Sequence, residues 1–162
     1  MGTINFTGTG GIWEGSAGAA NVVINQDAAL YFDGTGDNVT IADAVPEIGV
    51  NGAFTMSAWV KPNFVNNTKT IFADKSATAD IFSCIVNAAG TQIGISHTVA
   101  SGTNTSDLVA ADVDNWNHLC VTRAASSTTI KYYINGVANG TDVSNTQNFP
   151  LGKIGSKSDN TS

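Results

Sequence analysis

The chain has 162 residues with a formal charge of −6, and only 12% of it is charged. One domain accounts for that length, and an acidic surface with Arg123 as the sole arginine repels phosphate backbones, which excludes nucleic acid as a partner. Abundant Gly, Thr, Asn and Ser favour strands and turns over helices.

Thr3 to Thr7 reads as a strand, followed by the glycine-rich Gly8-Thr9-Gly10-Gly11 and then Ile12-Trp13. Residues 1–20 lack a basic start followed by an apolar run, and no stretch approaches the ~20 apolar residues of a membrane helix, so no membrane insertion is expected. Asn21 to Asn25 and Ala29 to Phe32 are short apolar runs, read as two strands or as one strand and a turn. Asp33-Gly34-Thr35-Gly36-Asp37 is a tight loop, and Asn38 to Ile41 alternates polar with apolar.

Pro46 lacks the N–H that a strand ladder needs and marks a connection. From Phe54 to Lys61 the period is 2: Phe54, Met56, Ala58 and Val60 share one face, and Thr55, Ser57, Trp59 and Lys61 the other. Strands follow at Thr70–Ala73, Ile81–Asn87 and Gln92–Thr98 after a loop at 63–68. Ser101 to Ser106 reads as a polar loop, Leu108 to Ala110 as a short strand and Asp112 to Asn115 as a turn. Trp116 to Arg123 and Thr129 to Asn135 are strands, the second ending in the hairpin pair Asn135-Gly136. Short strands at this spacing, without an amphipathic helix, define an all-β antiparallel two-sheet sandwich.

Several segments in order resemble the laminin-G-like jelly rolls of the concanavalin A-like lectin/glucanase superfamily. They are Tyr31-Phe32-Asp33-Gly34, Asp37-Asn38-Val39-Thr40-Ile41, Phe54 to Pro62, Trp116 to Thr122, Tyr133-Ile134-Asn135-Gly136 and Leu151-Gly152-Lys153-Ile154-Gly155-Ser156. The resemblance implies a jelly roll over 26–162, with 1–25 as an N-terminal segment. The family pattern usually runs on into a Gly-x-Ile-Asp-Glu-Val strand, so residues 3–7 or 21–25 are expected to take that sheet edge or to mediate assembly.

Glucanases of the superfamily place two glutamates about 5 Å apart, the spacing that retaining hydrolysis needs. Here the only glutamates, Glu14 and Glu47, lie outside any such strand motif, so no enzyme activity is expected and a divergent glycosidase is the remote alternative. Asp33 and Asp37 could offer Ca²⁺ its oxygen ligands, against a reading of the same loop as a plain tight turn. Aromatic faces stack on the C–H faces of pyranoses, which makes Trp13, Tyr31, Phe64 and His97 the candidate glycan contacts. Trp59 and Trp116, inside the family's structural segments, are read as packing residues, with His118 supporting the fold beside Trp116. Cys84 and Cys120 are read as buried free thiols.

The functional expectation is a non-enzymatic display or binding module on a virion surface, a capsid decoration or fibre protein with glycan adhesion. Its partners are then other structural proteins, a second copy or cell-surface glycans. A secreted or cell-surface carbohydrate-binding module, Ca²⁺-dependent or not, is the alternative.

Overall fold

The computed structural model describes residues 4–7, 29–32, 38–41, 51–74, 80–99, 102–145 and 151–155. Among them are twelve strands and no helix. The larger sheet holds β1 (Ile4–Thr7), β2 (Asn38–Ile41), β4 (Asn67–Asp74), β5 (Asp80–Val86), β6 (Gln92–Val99), β7 (Gly102–Thr105), β8 (Val109–Ala110) and β12 (Leu151–Ile154). Its order is β1-β2-β12-β4-β5-β6-β7, with β8 also on β6. The smaller sheet, in the order β11-β10-β9-β3, holds β3 (Phe54–Val60), β9 (Asn117–Arg123), β10 (Thr129–Ile134) and β11 (Val137–Ser144). All pairings are antiparallel, as a jelly-roll sandwich requires.

Alternation puts one side of each strand into the core. Phe54 and Met56 from β3, Leu119 and Val121 from β9, and Ile130, Tyr132 and Ile134 from β10 meet Phe82, Cys84 and Val86 of β5 and Ile93 and Ile95 of β6. At roughly 25 cal/mol per Å² of apolar surface removed from water, this inter-sheet layer is the main stabilising term. Cys84 points into it, where burial pushes the thiol up to about 12. Cys120 is half-buried and no disulfide joins the two.

The larger sheet decides one reading that the sequence left open and departs from the sequence expectation in another place. Residues 29–32 form no strand, and both Leu30 and Tyr31 are exposed. Conversely, 102–105, expected as loop, is β7: Thr, Asn and Gly pair along the outer end of β6 because the ladder needs only backbone groups. Between β7 and β8 the chain leaves the ladder, and Ser106 bridges the gap. Its backbone N–H donates to the Ile95 carbonyl at 2.9 Å and its Oγ accepts from the Ile95 N–H at 2.8 Å.

That detour leans on the smaller sheet. Asn139 Nδ2 of β11 donates to the Asp107 carbonyl at 3.2 Å, and a Cβ on Gly140 would stand 3.0 Å from the Asp107 nitrogen. Glycine is required there and at Gly155, where φ is +90° and a Cβ would lie 2.2 Å from the Phe32 ring. At the sheet's far edge β1 runs along β2, Ile4 opposite Ile41 and Thr7 opposite Asn38. The segment 21–25 lies outside the described residues.

Candidate ligand-binding face

The outer face of the smaller sheet carries the odd positions of β3 and the even positions of β9. Thr55, Ser57 and Trp59 stand opposite Thr122, Cys120 and His118, and β10 extends the rows with Lys131 beside Thr122 and Tyr133 beside Cys120. One end is aromatic and the other is hydroxyl-rich. At the hydroxyl end Lys131 Nζ lies 3.7 Å from Asp142 Oδ2, both largely exposed, a pair worth little in stability.

Trp59 is 64% exposed and Trp116 51% exposed. Both had been expected as packing residues, and the structure corrects this: Trp59 has the parity of Thr55 and Ser57, and Trp116 stands one residue ahead of β9 at the parity of His118. The Trp59 and His118 rings pack at 5.2 Å between centroids with planes inclined at 49°, a cross-strand contact that fixes the indole without covering it.

Local chemistry places these rings. Before Trp116, Asp112 builds a turn: its carbonyl accepts from the Asn115 N–H at 3.1 Å, and its Oδ1 accepts from the Asp114 N–H at 3.1 Å. After it, buried Asn117 donates from Nδ2 to the carbonyls of Asp112 at 2.9 Å and Asn115 at 3.0 Å. From the hairpin between β10 and β11, Asn135 reaches across. Its Oδ1 accepts from the His118 N–H at 2.8 Å and its Nδ2 donates to Asn117 Oδ1 at 3.0 Å. With φ of 51° at Asn135 and 80° at Gly136, the turn is the left-handed pair that Asn-Gly favours.

The glycan candidates read from the sequence are not gathered here. Tyr31 is 75% exposed, and its hydroxyl sits 3.4 Å from Asn63 Nδ2, just past the end of β3. Phe64 is half-buried and packs against the core. His97 is 0% exposed, on the inner face of β6, and has no ring surface to offer a ligand. Burial, then the nearby Arg123 charge, pushes its pKa down to about 4, so it is neutral at physiological pH. Trp13, Asp33 and Asp37 lie outside the described residues. Among the described residues, no group of three or more His, Cys, Asp or Glu could hold a metal ion, and no helix is long and apolar enough to cross a membrane.

A family model described as the concanavalin A-like lectin/glucanases superfamily, of laminin-G type, matches residues 33–161. The chain belongs to that superfamily. No curated protein matches this laminin-G-type jelly roll. Four solved chains do, among them a conserved carbohydrate esterase from the Shiga toxin-encoding bacteriophage phi24B. It is 13% identical, with a TM-score of 0.40 over 77% of this chain and 81% of that one. At those values the likeness bears on neither activity nor ligand.

Proposed function

We propose that this jelly roll is a non-enzymatic binding module that recognises glycans through the outer face of its smaller sheet, displayed on the surface of a particle. The observation that carries the reading is the exposure of both Trp59, which stands opposite His118 across the ladder, and Trp116, two residues before His118 in the chain. Two indoles turned to water cost hydration free energy that a buried position would recover, and a pyranose C–H face is a natural cover for them. The adjoining hydroxyls of Thr55, Ser57 and Thr122 suit the polar rim of a sugar. Catalysis is left out because neither Glu14 nor Glu47 belongs to a paired-carboxylate strand motif.

A glycan array probed with the native protein tests the binding reading. Native protein should give discrete positives, and Trp59→Ala and Trp116→Ala should each weaken them about tenfold, equivalent to roughly 1.4 kcal/mol. A featureless array for the native protein overturns the reading. Display on a virion is supported by the Thr- and Asn-rich composition with few lysines and glutamates. Mass spectrometry of purified particles should find the protein at a fixed stoichiometry. Its absence from particles assembled in its presence overturns that part.

A further inference from the structure

We infer that Asn135 is the positioning residue of the aromatic face, holding Trp116 and His118 in register with Trp59 from a hairpin that belongs to a different strand pair. The inference rests on the glycan-binding reading of that face.

The ladder between β3 and β9 ends at the Val60–Asn117 pair, so Trp116 lies just beyond the last paired residue. Three Asn135 contacts converge on the two residues after it. Its backbone N–H donates to the His118 carbonyl at 2.8 Å, its Oδ1 accepts from the His118 N–H at 2.8 Å, and its Nδ2 donates to Asn117 Oδ1 at 3.0 Å.

The amide orientations are mutually determined. Asn117 must point Nδ2 at the carbonyls of Asp112 and Asn115, both acceptors. That leaves Oδ1 facing Asn135, which must therefore present Nδ2 there and keep its oxygen for the His118 N–H. A carboxylate at 135 breaks the chain of donors: an acceptor would face Asn117 Oδ1, and turning Asn117 over would set its oxygen against two carbonyls. Position 135 also needs a left-handed backbone, which Asn, Asp and Gly tolerate best. Only asparagine meets both demands.

The test uses the native protein, Asn135→Asp and Asn135→Gly, with Trp116→Phe to assign the Trp116 indole N–H signal by NMR. Both Asn135 variants keep a turn-compatible backbone and should fold. The Trp116 signal should shift and broaden in both while the core amides of β5 and β6 keep their positions. Titration with cellohexaose, maltohexaose and chitohexaose should show affinity for the hexasaccharide that binds the native protein falling about tenfold in each variant. An unmoved Trp116 signal in both variants overturns the positioning role, whatever the sugars do. A moved signal with unchanged hexasaccharide affinity also overturns it. If the native protein binds none of the three sugars and gives a blank array, the glycan reading falls, and the inference built on it falls too, even if the signal moves.

Discussion

His97 sits on the inner face of β6, fully buried, and feels the charge of Arg123 from the facing sheet. With its pKa lowered from 6.5 to about 4, the folded state binds fewer protons than the unfolded chain in between, so stability rises with pH across that window. The contribution is complete above about pH 6.5, is lost as pH falls toward about 4, and amounts to about 3 kcal/mol. Urea unfolding at pH 7 and pH 4.5 should show His97→Gln losing less stability between the two than the native protein does. Arg123 closes the end of the core opposite Trp116. Its Nε donates to the Gly52 carbonyl at 2.9 Å and one guanidinium nitrogen to the Asn145 carbonyl at 3.0 Å, with the Phe54 ring 5.2 Å away. Arg123→Ala removes charge-assisted bonds to both strand ends, and unfolding free energy should fall by about 3 kcal/mol in the same assay. The sequence marked His97 as a ring for sugars, yet Ile93, Ile95 and His97 share one parity. Two apolar neighbours at that spacing were the legible sign of an inward side chain.

At the scale of elements, β3 shows how parity and family likeness pulled in different directions. Alternation grouped Trp59 with Thr55, Ser57 and Lys61, an outward and polar set, and the fold agrees. Likeness to structural segments suggested packing instead, because a recurrent tryptophan on a strand is usually scaffold. The cross-strand partner was not legible at all: His118 meets Trp59 only because β3 and β9, about 60 residues apart, pair in this register. A double-mutant cycle of Trp59→Ala and His118→Ala should return a coupling of about 0.5–1 kcal/mol by thermal or urea unfolding. Zero coupling would mean that the two rings are held independently. β7 escaped notice for the opposite reason: Gly102-Thr103-Asn104-Thr105 has no apolar face, and its strand character comes from the waiting edge of β6.

Over the whole molecule, chain neighbours are often not sheet neighbours. β12 inserts between β2 and β4, and β3 must find β9 across the entire run of β4 to β8. Closing such loops costs entropy before the core layer compensates, which places refolding in the range of milliseconds to seconds. Stopped-flow dilution from urea, followed by tryptophan fluorescence, should show this, and completion within microseconds would contradict the topology.

By itself the sequence determined the strand-rich class, the hairpin at Asn135-Gly136, most strand positions and the family, since period-2 patterning and turn chemistry are local properties. Only the tertiary structure decided which faces meet water. It buried His97, left Trp59 and Trp116 exposed, and brought Asn117, His118 and Asn135 into one hydrogen-bonded set. Those outcomes depend on strand order and register, which are settled by packing between residues distant in the chain.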